Sequence, residues 1–310
     1  MCKFIITVDT EGDNLWRWRP GDPITTENAL FIPRFQECCE KYGFRPVYLT
    51  NYEMAMDERW VRYASVKAAE GKCEIGMHLH AWNTPPEYEL VNNFGGNPYI
   101  TEYPEEIIDA KVATMMALLQ DKFQCPIVSH RAGRWAVNEA YLKSISRHGI
   151  RVDCSVTPET DLSRIPGCQT MCGNDYRKEP KGCYYIQPDL LEVPMTTRKL
   201  RHARQGSLKH RVKTLLCGES MWLRPLQMSV APLKELTSKV MREKDCDHLE
   251  FMIHSSELMP GGSPYFKTNE DVEHLFATMD AYFNYISQLD ICGATLQEFA
   301  DFVNEKPLIF

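Results

Sequence analysis

The chain has 310 residues, of which 44% are hydrophobic, and its formal net charge is −7. A chain of this size can bury a large core, and its negative charge argues against a general nucleic-acid-binding protein. It has no apolar run of about 18 residues and no secretory signal at its start, so neither a membrane span nor export is expected. Its twelve cysteines form no CxxC pair, and reduced thiols in a cytoplasmic protein are the expected state.

Apolar runs alternate with helical patterns along the chain, which predicts a β/α order. Strands are expected at residues 3–9, 45–50, 73–78, 126–130, 150–155, 190–193, 249–253 and 291–295. Helices are expected at residues 26–42, 54–70, 105–123, 137–148 and 269–288, and a closing helix from Leu296. Alternation with short connections favours a parallel sheet, and the lack of a GxGxxG motif favours a barrel over a Rossmann fold.

One basic segment interrupts this order. Seven basic residues occur there without an acidic one, namely Arg198, Lys199, Arg201, Arg204, Lys209, Arg211 and Lys213. We expect a basic helical insertion near residues 196–217 in a single domain that spans residues 1–310. It is either a solvated helix face or a patch for an anionic partner, such as a phosphorylated substrate, an acidic glycan or a membrane surface.

Polar side chains follow four of the predicted strands. They are Asp9, Glu11, His78, His80, Arg131 and His254. Because the carboxyl ends of the strands of a parallel barrel meet at one mouth, we expect these side chains to converge. Such a group predicts a hydrolytic metal site with its own acid and base.

His78 and His80 are the first candidate ligands. They are two residues apart at a strand end, so both imidazoles point to the same side and can reach one ion. Asp9 and Glu11 have the same spacing on another strand. Two histidines and one carboxylate leave positions open for water and substrate, as in catalytic zinc sites, although cobalt, nickel or iron would fit similar ligands. The alternatives are two hydrogen-bonded histidines beside a loop, and acidic residues that cap a turn.

The remaining groups suit complementary roles. The second carboxylate could act as general base, and His254 could protonate the leaving group from the far side of the barrel. Arg131 could keep the base ionised through a bidentate contact. Trp82, Trp135 and Tyr265 could stack on sugar rings or pack at the rim.

Five motifs follow one another in a defined order. They are Thr7–Asp13, Glu74–His80, His130–Gly133, Asp153–Ser155 and Ile253–His254. Together they resemble the motifs of the polysaccharide deacetylases, which are NodB-like carbohydrate esterases. The resemblance covers most of the chain, and it implies a distorted (β/α)7 barrel that removes an acetyl group from an N-acetylated sugar with the help of a metal.

The resemblance also implies roles for single residues. Asp9 matches the base, Glu11 a metal carboxylate and His78 the first metal histidine. Arg131 matches the arginine that orients the base, and His254 matches the general acid.

Three departures from the family pattern concern the same region. The usual second metal histidine lies four residues after the first, where this chain has Trp82, so His80 must replace it or the metal loses a ligand. The usual Arg-Pro-Pro-Tyr-Gly reads Arg-Ala-Gly-Arg-Trp here, which places the oxyanion donor at a backbone N–H near Arg134 or Trp135. Glu11 replaces an aspartate and adds one methylene. Trp82, Arg134 and Trp135 are the expected substrate-binding residues.

The sequence therefore predicts a cytoplasmic, divalent-metal-dependent N-deacetylase of a surface-glycan precursor, with zinc as the expected metal. The basic residues 198–213 would fit a phosphate-bearing substrate, and peripheral membrane contact through them is a further possibility. Two alternatives stay open: a metal-dependent hydrolase of a non-sugar amide, and a non-catalytic glycan-binding protein with a degenerate site.

Overall fold

The structure is a computed structural model, and one curled sheet organises it. It describes residues 2–19, 21–90, 97–168, 173–200, 218–226, 229–244 and 246–305. The strands of the main sheet are β1 (Lys3–Thr10), β2 (Val47–Thr50), β3 (Glu74–Leu79), β4 (Ser129–Ala132), β5 (Val152–Asp153), β6 (Tyr184–Gln187), β7 (Leu190–Glu192), β10 (His248–His254) and β11 (Cys292–Gly293). Two further strands, β8 (Thr197–Leu200) and β9 (Glu219–Trp222), form a separate antiparallel pair.

Eight strands of the main sheet run parallel, seven of them in the order β10-β1-β2-β3-β4-β5-β7 and the eighth, β11, beside β1. The antiparallel β6 pairs with β7. Between β7 and β10, the N–H of Leu223 donates to the carbonyl of Thr196, and the N–H of Met252 donates to that of Leu223. The expected distorted β/α barrel is therefore confirmed, with its last gap bridged by irregular backbone.

Helices pack against this sheet, the last one against its inner face and the others against its outer face. They are α1 (Ile32–Glu40), α2 (Tyr52–Ala55), α3 (Glu58–Ala69), α4 (Glu105–Phe123), α5 (Glu139–Arg147), α6 (Ala231–Val240), α7 (Asn269–Ser287) and α8 (Leu296–Glu305). None of the helices in the described ranges combines the length and apolar character needed to cross a membrane.

The two faces of β1 show how the sequence builds these layers. Successive residues of a strand point to opposite faces. Phe4, Ile6 and Val8 accordingly pack in the large cluster shared with the helices, whereas Ile5 belongs to the inner cluster, which includes Phe299 of α8. The inner face becomes polar toward the carboxyl ends of the strands, and this end carries the site.

The basic segment differs from the expectation. Residues 197–200 form strand β8 rather than the start of a helix, because they pair with β9 and bury Thr197 and Leu200. Arg198 is 4% exposed and forms an ion pair with Glu243 at 2.7 Å, so it is not part of a free basic patch. Residues 201–217, which make up most of the expected insertion, lie outside the described residues.

Candidate active site

Strand register brings the polar strand ends together. Asp9 of β1 is the register partner of His254 of β10, and His78 of β3 is the register partner of Arg131 of β4. Glu11 directly follows β1, where its backbone N–H donates to Ser255 Oγ at 3.1 Å. Side chains from four strands therefore face one region, as the strand-end pattern predicts.

Glu11, His78 and His80 form a compact group of possible ligands. The Oε2 atom of Glu11 lies 3.5 Å from His78 Nε2 and 3.3 Å from His80 Nε2, and all three side chains are buried. Two ligand atoms about 2.0–2.1 Å from a tetrahedral zinc ion are about 3.3–3.4 Å apart. The spacing and the chemistry of this donor set thus fit a divalent cation, including the use of His80 as the second histidine.

The surroundings of both imidazoles favour ligand geometry. His78 Nδ1 lies 2.9 Å from the carbonyl of Arg131, to which it can only donate, so in the neutral imidazole the lone pair is on Nε2, which faces Glu11. His80 stacks on Trp82 with 4.3 Å between ring centroids. Gly133 lies so close to this ring that a Cβ atom there would be 2.3 Å from His80 Cδ2. Burial lowers the pKa of His80 well below its ordinary value, which keeps the imidazole neutral.

Asp9 is the buried carboxylate beside this group. Its Oδ1 accepts a hydrogen bond from Arg131 Nη1 at 2.5 Å. Burial would raise the pKa of Asp9, but the positive charge of Arg131 and its hydrogen bond hold it below its ordinary value. Asp9 is therefore ionised and can accept a proton.

Arg131 does not make the bidentate contact with Asp9 that the sequence suggests. Its Nη2 instead donates to Thr7 Oγ1 at 2.8 Å and contacts Glu250 Oε1, and its Nε donates to the carbonyl of Cys154 at 3.1 Å. The reason is the second buried carboxylate, because Glu250 of β10 faces the same side as Asp9 and shares the guanidinium.

His254 completes the site from β10, the strand that pairs directly with β1, and not from the far side of the barrel as the sequence suggested. Its Nε2 lies 3.7 Å from Asp9 Oδ2 and 3.9 Å from Glu11 Oε1. Its Nδ1 lies 2.9 Å from Arg224 Nη2. Because a guanidinium only donates, Nδ1 accepts and the proton of the neutral ring is on Nε2, which faces the other site residues.

Sequence reasoning missed Arg224, which contacts both His254 and Glu257. Arg224 Nη2 donates to Glu257 Oε1 at 2.9 Å, and Glu257 Oε2 accepts the backbone N–H of His254 at 2.9 Å. Burial would raise the pKa of Glu257, but Arg224 and His254 lower it to about 2. Arg224 follows β9 by two residues, so the strand-end rule would have found it had β9 been recognised.

A cavity of about 580 Å³ opens above these groups. The expected substrate residues Trp82, Arg134 and Trp135 all line it, as do Trp16 and Trp222, which the sequence did not single out. Tyr265 lines it as well. The cavity thus combines one charged end with aromatic walls, which suits a ligand that has both polar groups and flat carbon faces.

Arg134 and Trp135 adopt an uncommon backbone conformation at this wall. Their φ angles are 58° and 60°, in the left-handed region that non-glycine residues seldom occupy. Such strain persists where the surroundings enforce it and often accompanies functional sites. The oxyanion donor expected in this turn stays a prediction.

Solved structures share this fold. No protein-family model matches the sequence, and no curated protein is significantly similar to it. A protein assigned as a polysaccharide deacetylase from Mycobacterium smegmatis superposes with a TM-score of 0.60 at 14% identity, over 98% of this chain and 90% of that chain. A GH57 branching enzyme from Thermococcus kodakaraensis has a TM-score of 0.56 at 11% identity, over 99% and 71% of the two chains.

A 4-alpha-glucanotransferase from Thermococcus litoralis has a TM-score of 0.51 at 12% identity, over 99% of this chain and 40% of that chain. At sequence identities this low, the superpositions show a shared fold and nothing more. The resemblance to polysaccharide deacetylases that the motifs indicate is confirmed at this level: the chain has the NodB-like deacetylase fold.

Proposed function

We propose that this protein is a divalent-metal-dependent hydrolase that removes the N-acetyl group from an amino sugar in a glycan or glycan precursor. The observation that carries the proposal is the buried group of Glu11, His78 and His80, whose donor atoms have the spacing of ligands around one cation. A fold shared with a polysaccharide deacetylase supports the same class of reaction.

These three side chains would hold the ion, and zinc suits two imidazoles and one carboxylate, as do cobalt, nickel or iron. When bound, such an ion polarises a carbonyl and lowers the pKa of water.

Asp9 would take the proton that the attacking water loses. Its carboxylate is ionised and fixed by Arg131 at 2.5 Å, so it is ready to accept a proton in the folded protein. In this proposal Arg131 is a positioning residue, because its guanidinium contacts the two carboxylates rather than the cavity.

His254 would give a proton to the amine that leaves. It would do so as an imidazolium, with Nδ1–H directed to Glu257 Oε2 at 3.6 Å and Nε2–H facing the other site residues. Hydrolysis then balances: the hydroxyl of water goes to the acetyl carbon, the sugar nitrogen receives the proton of His254, and the proton that Asp9 takes from water returns to His254, whose Nε2 lies 3.7 Å from Asp9 Oδ2.

The aromatic walls would hold the sugar. Trp82 and Trp135 would place flat faces against the ring, and the backbone N–H groups near Arg134 and Trp135 would face the developing oxyanion. The phosphate-bearing substrate, the surface-polysaccharide pathway and the cytoplasmic location stay predictions. Membrane contact through residues 198–213 also stays a prediction, although Arg198 cannot contribute to it because it is paired with Glu243.

Acetate release from N-acetylhexosamines and their oligomers tests the proposal, with added zinc and with a chelator. We expect release that the chelator abolishes and zinc restores. Asp9→Asn is the matched variant, since it keeps the shape of the side chain and removes the base. No release by folded, zinc-supplied protein from any of these sugars would contradict the proposal.

Two further measurements, hydrolysis of a cyclic amide and binding of sugars, separate the two alternatives. Hydrolysis of a small cyclic amide without activity on sugars would favour the non-sugar amide hydrolase. Sugar binding without acetate release, unchanged by His78→Ala, would favour a non-catalytic glycan-binding protein.

A further inference from the structure

Arg134 differs from the other charged residues of the cavity wall. Asp9 is neutralised by Arg131, and Arg224 forms an ion pair with Glu257 at 2.9 Å. Arg134 lines the same cavity, yet no carboxylate forms an ion pair with it within the part of the chain that the structure describes. No carboxylate of the described residues therefore neutralises its positive charge.

Neutral groups hold the guanidinium of Arg134 in place. Its Nη1 donates to the carbonyl of Asn97, and its Nη2 donates to the carbonyl of Pro166 at 2.8 Å. Its Cζ lies 4.0 Å from the ring centroid of Tyr99. These contacts fix the side chain, and its further N–H groups have no acceptor among the described residues.

Partial burial makes this arrangement costly without a ligand. Burial lowers the pKa of Arg134, which is the mark of a desolvated cation. The carboxylate of Glu102 acts on it only from a distance, and Glu102 Oε2 accepts backbone N–H groups of Tyr99 and Cys168. A partly desolvated charge without a counter-charge loses hydration free energy, which a bound anion compensates.

The position of Arg134 connects it to the proposed ligands. Gly133, the residue before it, packs directly against the ring of His80, and the side chains of His80 and Arg134 line the same cavity. One molecule in the cavity can thus reach both His80 and Arg134.

We propose that Arg134 binds a negatively charged substituent, a carboxylate or a phosphate, on the sugar that is deacetylated. This inference rests on the proposed function and narrows its substrate class from any N-acetylated sugar to an acidic one. A planar guanidinium with several N–H groups suits the oxygens of either anion.

Quenching of tryptophan fluorescence measures binding directly, since Trp82 and Trp135 line the cavity. The probes are N-acetylglucosamine, its 1-phosphate, its 6-phosphate and the corresponding 6-carboxylate, each with zinc-supplied protein. At least one anionic probe should bind at least about tenfold more tightly than the neutral sugar. The phosphate and carboxylate probes distinguish the two anions.

Arg134→Gln should weaken binding of the preferred anionic probe by about 10- to 100-fold and reduce its preference over the neutral sugar to below about threefold. Arg134→Lys should recover only part of the preference, because lysine keeps the charge without the planar donors. Arg62→Gln, an equal change of charge at an exposed position of α3, should change neither affinity. If Arg134→Gln does not fold, the inference is tested by the anion preference of the wild type and by its partial loss in Arg134→Lys.

Equal binding of neutral and charged sugars by the wild-type protein would overturn this inference and leave the proposed deacetylase intact. An anion preference that survives Arg134→Gln and disappears in Arg224→Gln would also overturn it. Failure of all four sugars to bind, together with no acetate release, would remove the proposed function and the inference with it.

Discussion

Replacing His80 with alanine tests the feature of the site that the family pattern does not provide. The usual second histidine position holds Trp82, and His80 lies only two residues after His78. His80 Nε2 is 3.3 Å from Glu11 Oε2, and its ring is held between Trp82 and Gly133. The substitution therefore removes one of three donors and leaves the other two in place.

The expected size of the effect follows from the number of donors. Altering a group that only hydrogen-bonds to a metal ligand weakens metal binding by about 10- to 100-fold, so losing a ligand should weaken it by more than about 100-fold. Zinc at about 100 times the wild-type Kd adds about 2.7 kcal/mol to the free energy of unfolding, and at a variant's own Kd it adds only about 0.4 kcal/mol. For 310 residues, these values correspond to a rise in Tm of about 4 °C in the wild type and below about 1 °C in His80→Ala.

Chelator competition gives the zinc affinity, and thermal unfolding with and without zinc gives the Tm shift. His274→Ala is the control, because His274 lies on α7 with a half-exposed side chain, and its zinc response should equal that of the wild type. A zinc affinity of His80→Ala within threefold of the wild-type value would show that His80 is not a ligand. The proposed donor set would then be wrong.

Three further predictions concern the groups around the proposed metal site. His254→Ala should lower kcat for acetate release by about 10²- to 10⁴-fold with unchanged zinc affinity, and steady-state kinetics with a zinc titration will show whether it does. Arg131→Met leaves two buried carboxylates without their cation, so urea unfolding should show a loss of about 3–5 kcal/mol; Arg34→Met, which breaks an exposed ion pair, should cost far less. Glu257 has a pKa of about 2 in the folded protein against an ordinary 4.5. Its contribution to the free energy of unfolding is therefore complete above about pH 4.5 and is lost as the pH falls toward 2. Glu257→Gln should make the free energy of unfolding depend less on pH over that range. The same pH dependence in the variant and the wild type would contradict this assignment.

The strand ends could be predicted from the sequence because the parallel strands are buried along nearly their whole length. β1 and β10 contain short apolar runs, Phe4–Ile6 and Phe251–Ile253, and are buried on both faces. The rule that the carboxyl ends of parallel strands meet at one mouth predicts that Asp9 and His254 lie at the same end of the barrel, and the pairing of β1 with β10 makes them neighbours. The group of Glu11, His78 and His80 follows from the same rule applied to β3.

β8 and β9 could not be predicted in this way. Their sequences, Thr-Arg-Lys-Leu and Glu-Ser-Met-Trp, contain no apolar run longer than two residues, and the basic residues that follow β8 suggest a helix. Arg224 was missed for this reason. Two helix boundaries had usable signals: Pro33 stands in the first turn of α1, and Asp57 caps α3 by accepting the N–H groups of Arg59 and Trp60.

The two departures in the proposed ligand set fit each other in this geometry. A single oxygen, Glu11 Oε2, lies within 3.5 Å of both histidine nitrogens, while the backbone of Glu11 is fixed by Ser255 and Asn28. An aspartate at this position would withdraw that oxygen toward β1 by about 1.5 Å, one carbon–carbon bond. A histidine two residues after His78 stays on the same side of the extended chain. The longer carboxylate and the nearer histidine thus complete one donor set, which explains how Trp82 can occupy the usual histidine position and serve as a wall of the cavity.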